Sequence, residues 1–301
     1  MSNQLLRFQV AGTPVRGEWI ELDTAWQEVV NRHDLDDSSL SLLGQLTGAS
    51  LLLAATLKHQ GSLTAQIVGD GPISLIVVEC MANGAFRSTI KLSEKHAMPA
   101  QPTPDVSTLV NPGGKGRFAI TLDPREPGQS AYQGIVPLEG NSVARLLERY
   151  MFRSEQLPTR LWLAADRQKV AGLLLQRLPQ TGGKPVSKDS DAWPRLQKLA
   201  DTLEAEEMLS ADGKTMLHRL FWQEKTGELE QRPMRFECAC SREKVVSMLQ
   251  MLGVDEINSI IQEQGHIAVN CEYCNTPYEF DAVDAAGLFQ PTAVGGTDTR
   301  Q

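Results

Sequence analysis

The sequence predicts an α+β fold in three parts. Residues 1–180 read as an N-terminal domain of mostly antiparallel sheet with helices, residues 181–235 as a charged helical linker, and residues 236–301 as a small unit organised by cysteines. Three observations carry this reading. Short alternating stretches come in groups with helical stretches between the groups, the pattern of α+β rather than of a parallel sheet. The density of charge rises at Pro179. Four of the five cysteines of the chain fall within residues 238–274.

The first domain is read element by element. Leu40, Leu43, Leu46 and Leu51–Leu57 give an apolar helix, with Ser38 or Ser39 as its expected cap. Leu63, Ala65 and Ile67 alternate with polar residues, as a half-buried strand does. Gly69-Asp70-Gly71-Pro72 is a turn, because glycine supplies positive φ and proline stops pairing. Ile73–Cys80 is a second strand, and Ala82–Ala85 turns the chain into a third over Phe86–Leu92. Residues 98–116, rich in Pro and Gly, read as a loop. Phe118, Ile120 and Leu122 alternate again, and Gln133–Leu138 is another short strand. Ser142–Tyr150 is helical, with Val143, Leu146, Leu147 and Tyr150 on one face. Leu161–Ala165 and Val170–Leu178 close the domain.

The second part, 181–235, carries 9 Lys/Arg and 10 Asp/Glu in 55 residues, against 22% charged overall. Trp193, Leu196, Leu199 and Leu203 recur at helical spacing, and so do Leu217, Leu220 and Phe221, with Gly213 between the groups. The expectation is two amphipathic helices with a narrow apolar stripe. Helices this short depend on whatever they dock against.

Composition bounds the function. A chain of 301 residues with 41% hydrophobic side chains buries a sizeable core without staples and is not low-complexity disorder. Its net charge of −8 argues against general nucleic-acid or membrane-surface binding. The start has no signal-peptide pattern, and no run approaches the roughly 18–20 apolar residues that cross a bilayer, the best being Leu51–Leu57. A cytoplasmic protein is expected, and there clustered cysteines mean metal or redox chemistry more often than structural disulfides.

The cysteines fall as Cys238-Ala239-Cys240 and Cys271-Glu272-Tyr273-Cys274, thirty residues apart. Four thiolates in two tight pairs can surround one zinc tetrahedrally, and sets of this kind are typically structural. Residues 236–301 hold 3 basic and 10 acidic side chains, which disfavours a nucleic-acid finger. A catalytic zinc usually keeps an open position. A thioredoxin-like site would place its C-x-x-C between strand and helix, whereas Cys271 follows a strand over His266–Asn270 and leads into the turn Asn275-Thr276-Pro277. A passive zinc knob and a redox switch remain. Zinc-bound thiolates are already deprotonated and react with oxidants. The binding free energy of a structural zinc is about 10–16 kcal/mol, comparable to a whole domain's stability of about 5–15 kcal/mol. Losing the ion would unfold a unit this small.

Elsewhere, Cys80 reads as a buried strand residue. The histidines show no ligand or triad spacing. Asn111-Pro112-Gly113-Gly114-Lys115-Gly116 lacks the G-K-[ST] ending of a phosphate loop and reads as a turn. The stretch after Gly287 is expected to be a mobile tail.

Several stretches are similar to one family: Phe236-Glu-Cys-Ala-Cys-Ser-Arg, Cys271-Glu-Tyr-Cys-Asn with Tyr278-Glu-Phe behind it, Gly69-Asp-Gly-Pro, Tyr132-Gln-Gly-Ile-Val, Ser154-Glu-Gln-Leu-Pro-Thr and Ala171-Gly-Leu-Leu-Leu-Gln-Arg-Leu-Pro. With them the chain resembles the heat-shock protein 33 family, redox-regulated holding chaperones of bacteria, over nearly its whole length. The resemblance implies that Cys238, Cys240, Cys271 and Cys274 bind zinc in a reduced, inactive state. It implies that oxidants form the disulfides Cys238–Cys240 and Cys271–Cys274 with release of zinc, that the linker then becomes disordered, and that apolar surface captures unfolding client proteins. It further implies a homodimer in the active oxidised form, with a monomer allowed when reduced, no use of ATP, and transfer of clients to ATP-dependent foldases. The expectation is therefore a holdase and not an enzyme. The alternatives are a structural-zinc interaction module and a disulfide oxidoreductase.

Overall fold

Residues 4–30, to which the sequence assigns no element, form a hairpin and a helix. Strands β1 (Gln4–Gln9) and β2 (Val15–Leu22) pair antiparallel with Leu6 opposite Trp19, and helix α1 (Thr24–Val30) follows, its first N–H bound by the Asp23 carboxylate. Both strands bury apolar side chains on both faces. Leu5, Ile20 and Leu22 enter one core, and Leu6, Phe8, Val15 and Trp19 enter another. Burial on two faces removes the alternation that would have marked them. The structure is a computed structural model and describes residues 2–56, 61–100, 103, 105–126, 128–179, 189, 191–227 and 229–289.

Helix α2 (Asp37–Thr56) is the expected apolar helix, with Leu57 outside the described residues. Its cap is neither Ser38 nor Ser39. The Asp36 carboxylate accepts the N–H groups of Ser38 at 3.0 Å and Ser39 at 3.1 Å, and the Ser39 hydroxyl at 2.6 Å. A carboxylate there also faces the positive end of the helix dipole. At 20 residues α2 is long and apolar enough to span a bilayer, contrary to the sequence reading, but 78% of its most apolar window is buried as a core helix.

The chain continues through β3 (Ser62–Val68), β4 (Ile73–Met81), β5 (Ala85–Leu92), a single turn α3 (Val106–Leu109) inside the expected loop, β6 (Arg117–Asp123) and β7 (Tyr132–Pro137). Then come α4 (Val143–Ser154), capped by Ser142, and strands β8 (Thr159–Ala165) and β9 (Val170–Arg177). The described part of the linker stretch holds three helices, not two: α5 (Ala192–Ala200), α6 (Ala205–Ser210) and α7 (Gly213–Phe221). Gly213 opens α7 instead of separating two helices, because the Asp212 side chain caps it by accepting the Thr215 N–H at 3.0 Å. Short strands β10 (Glu230–Pro233) and β11 (Arg235–Phe236) follow.

Two sheets result, ordered β10-β1-β2-β9-β8 and β11-β5-β4-β3-β6-β7. Their pairings are antiparallel except the short parallel contact of β11 with β5. The α+β class stands. Helix α2 lies in the core between the sheets, with Leu40, Leu43 and Leu52 packed among Ile20, Val170, Val78 and Phe118. The outer face of the first sheet is covered by α5–α7, through Leu196, Met208, Met216, Leu220 and Phe221 on Leu6, Phe8, Trp19 and Leu173. Glycine 213 makes the closest approach of this cover. Its N–H donates to the buried Glu21 carboxylate at 2.9 Å, and a Cβ there would lie 2.4 Å from Trp19 Cδ1.

The chain divides at the Glu237–Cys238 bond into two compact units, the described part of 181–235 belonging to the first. The second comprises α8 (Arg242–Leu252), α9 (Val254–Gln264), the hairpin β12 (Ile267–Asn270) and β13 (Pro277–Phe280), and α10 (Ala282–Gly287). Its core is small: Leu249, Ile257, Ile267, Phe280, Ala285 and Leu288. Leu288 is thus a core residue and no part of a tail; 290–301 lie outside the described residues.

Candidate metal centre

Each cysteine pair is placed by a local device. Cys238 and Cys240 lie on extended chain ahead of α8, where the Ser241 hydroxyl accepts the Lys244 N–H at 3.4 Å and the Lys244 ammonium returns to the Ala239 carbonyl. Cys271 and Cys274 occupy the loop of the β12–β13 hairpin, beyond the pair Asn270–Pro277. That loop is closed by the Cys271 N–H on the Thr276 carbonyl at 3.0 Å and the Asn275 N–H on the Cys271 carbonyl at 2.8 Å. Asn275 takes φ 55°, a left-handed conformation that asparagine tolerates better than most residues.

The four sulfurs converge. All lie within 4.8 Å of one another, with Cys238–Cys271 at 3.7 Å and Cys240–Cys274 at 3.3 Å. Sulfurs at tetrahedral corners ~2.3 Å from one ion would be roughly 3.8 Å apart, and the observed spacing brackets that value. The four cysteines can hold a metal ion, and among the described residues they are the one such cluster.

The electrostatics of the thiols point the same way. Burial, joined by the neighbouring thiols, pushes Cys238 up to about 12. Burial also raises Cys240. Burial works against the Cys274 thiolate too, but the Thr276 hydroxyl and N–H, with Cys240 and Cys271, outweigh it and lower Cys274 to about 6. Cys274 thus becomes a thiolate readily, whereas Cys238 and Cys240 resist doing so. A central cation removes that resistance, since ligating thiols lose their protons to a metal. Tyr278 completes the surroundings. Its hydroxyl donates to Cys240 Sγ at 3.1 Å, and this bond pushes the phenol itself up to about 12, so it stays a donor.

Comparison with known proteins follows the same line. A family model described as Hsp33 protein matches residues 3–281. The chain belongs to the Hsp33 family. The 33 kDa chaperonin of Methylobacillus flagellatus is 44% identical over 303 residues, covering 100% of this chain and 99% of that one. The 33 kDa chaperonin of Chromobacterium violaceum is 44% identical over 287 residues, covering 95% and 94%. The crystal structure of the 33 kDa chaperonin from Thermotoga maritima shares the fold, with a TM-score of 0.80 at 22% identity over 95% of this chain and 98% of that one. Hsp33 is a chaperone family, and the relatives are named as chaperonins, not enzymes.

The structure brings Cys238, Cys240, Cys271 and Cys274 into one site and leaves Cys80 outside it. Cys80 is fully buried in β4, and burial raises its thiol far above the ordinary range, so it is a small core hydrophobe. The glycine-rich stretch 111–116 is a turn. Its Gly113 and Lys115 N–H groups donate to the Asp70 carboxylate, at 3.2 and 3.1 Å, and Gly116 donates to Asn111. Donors spent in this way leave no phosphate cradle. Two residues beside the cluster escape a reading based on ligand types. Tyr278 lies two residues past Thr276, and its hydroxyl is the only hint it offers. Arg242 stacks 4.2 Å over the Phe280 ring and pairs with Asp284 at 2.8 Å, tying the start of α8 to the end of the hairpin.

Proposed function

We propose that this protein is a cytoplasmic, ATP-independent holding chaperone whose second unit is a zinc-bound redox switch. The convergence of four half-buried cysteine sulfurs within 4.8 Å in a unit with so small a core is the observation that carries the reading. Zinc, when bound, supplies the positive charge that keeps all four sulfurs as thiolates and clamps the two ends of the unit together. An all-sulfur donor set favours zinc over harder cations.

The chain's own residues carry the switching. Oxidation of Cys238 with Cys240 and of Cys271 with Cys274 takes two electrons per disulfide. Two molecules of peroxide accept the four electrons and, with four protons, leave as four waters. Each disulfide closes only a short local loop and adds little constraint, whereas the thiolates it consumes were the long-range clamp. The six core side chains do not replace that clamp.

The surface for clients is proposed on the first sheet. Leu6, Phe8, Trp19 and Leu173 form an apolar face under α5–α7, and the three helices are of only 9, 6 and 9 residues. Helices of this length hold their place by docking alone. Loosening them exposes a contiguous apolar face of the kind that binds unfolded chains. The oxidised form acts as a homodimer, the reduced form is inactive, and clients pass to ATP-dependent foldases. Light scattering of a heat-unfolded client tests the proposal, with reduced zinc-bound and with peroxide-oxidised protein. Protection by the oxidised form alone is expected; equal and negligible protection by both sinks it.

A further inference from the structure

Residues 230–237 strap the edges of both sheets. β10 adds to the first sheet beside β1, with Leu5 opposite Arg232, and the Met234 N–H donates to the Asn3 carbonyl at 2.9 Å. One residue later the chain changes sheets. The Arg235 and Glu237 N–H groups donate to the Gly84 and Phe86 carbonyls at the edge of the second sheet, at 3.0 and 2.9 Å. Cys238 follows directly.

The hold on β5 is anchored by side chains and short in backbone. Met234 is buried in the main core. Phe236 shares its face of the extended chain, two residues on. The Phe236 ring stands edge-on to Phe86 at 6.3 Å, and the Arg32 guanidinium lies 4.7 Å from its centroid. Gly84 permits the close approach, since a Cβ there would lie 2.4 Å from the Pro233 carbonyl oxygen. Yet β11 meets only Ala85 and Phe86 of the eight residues of β5. Parallel pairing is also the less stable kind per residue. Beside Met234 a cavity of about 290 Å³ remains, walled in part by Leu51, Ala54 and Met81, so that position has room for a bulkier side chain.

We propose that the β5 edge at Gly84–Phe86 is a strand-addition site for an extended segment of an unfolding protein, and that residues 234–237 occupy it in cis. The strap shows what the site takes: backbone donors at alternate positions, with a large apolar side chain and, two residues on, an aromatic one. In strand addition the backbone bonds give affinity without sequence preference, and side-chain pockets give the selection. Here both pockets ask only for apolar bulk, which suits a client recognised by its exposed apolar residues. The tethered strap excludes a free chain through its effective concentration. Once order is lost beyond Glu237, the strap has one loose end and frays from there toward Met234. The site takes its client from the holdase reading, but its occupancy is measurable without one.

The test is fluorescence anisotropy of a labelled peptide of residues 230–237 with the full reduced protein. The tethered strap should keep the peptide off the wild type. Phe236→Ala in the protein removes the anchor and should raise the peptide's affinity at least about tenfold. Arg32→Gln, which loosens the same ring without touching the core, should raise it by less. Amide shifts at Gly84, Ala85 and Phe86 should accompany binding. A peptide N-methylated at the positions of Arg235 and Glu237 lacks both donors and should bind at least about tenfold more weakly. No saturable binding to either variant, binding to the wild type as tight as to both, or equal affinity for the two peptides overturns the proposal. The assay uses no oxidant and no client, so a failed holdase assay leaves it standing, and its own failure leaves the redox reading untouched.

Discussion

The Tyr278 hydroxyl donates a hydrogen bond to the Cys240 sulfur at 3.1 Å, across 38 residues of chain. Donors of this kind orient ligands and spread their charge, and their loss typically costs 10–100-fold in metal affinity. Tyr278→Phe keeps the ring in the small core and removes only the donor. Zinc affinity measured by chelator competition should fall about tenfold with the fold intact by circular dichroism. Unchanged affinity would mean the bond is incidental.

Cys271→Ser removes one corner of the sulfur cluster and, with it, the clamp between Cys238–Cys240 and the hairpin. A structural zinc contributes stability comparable to that of a whole small domain. The variant should carry little zinc and lose amide-exchange protection across 238–289 without any oxidant. Protection in β1–β9 should persist, because the core around α2 has no part in the site. Normal zinc content with normal protection contradicts this.

Thiol counting separates Cys80 from the rest. Burial and the adjacent Glu79 charge both hold its thiol protonated. A thiol reagent applied to metal-free protein, its second unit loosened, should modify four cysteines while the first unit stays folded and the fifth only when that unit unfolds. Five fast thiols would place Cys80 at the surface.

What the sequence made legible follows from how each signal arises. Strands β3 and β6 alternate because one face meets the core and the other is more open, and that period is visible in the sequence. β2 escaped because both of its faces are covered, so Glu18 and Glu21 sit buried beside Trp19 and Ile20 without a period to betray them. The cap of α2 was misread because Ser38, Ser39 and Asp36 are all good caps, and only geometry shows which one bends back. The sulfur cluster was legible in full, since C-x-C and C-x-x-C name their own chemistry. Tyr278 was not, because its role is a direction in space.

Gly213→Ala tests whether the cover of the first sheet can be lifted without oxidant. The added Cβ would lie 2.4 Å from Trp19 Cδ1 and 2.5 Å from Trp19 Nε1, and Trp19 is fully buried with little room to yield. Overpacking of this order costs about 1–3 kcal/mol, concentrated here on a short helix that depends on docking. Reduced Gly213→Ala should bind a hydrophobic dye and give partial protection to a heat-unfolded client. A variant as silent as the reduced wild type would show that exposing this sheet face does not capture clients.

Glu18 makes stability depend on pH in a direction opposite to that of most carboxylates. Burial raises its pKa to about 7 from the ordinary 4.5, and the favourable charges of Arg7 and Arg16 only partly offset that. A carboxyl whose folded pKa is raised binds more protons folded than unfolded between about 4.5 and 7, so stability is lost as pH rises through that window. The loss amounts to about 3 kcal/mol once Glu18 is ionised, at 1.36 kcal/mol per pKa step. Glu18→Gln keeps an oxygen to accept the Arg7 Nε–H, which in the wild type reaches Oε1 at 3.0 Å, and it removes the titration. Denaturant unfolding of the first unit should show the stability of Glu18→Gln relative to wild type rising by about that amount from pH 4.5 to above 7. A difference that stays flat with pH would mean that Arg7 holds Glu18 ionised throughout, with the ion pair outweighing burial.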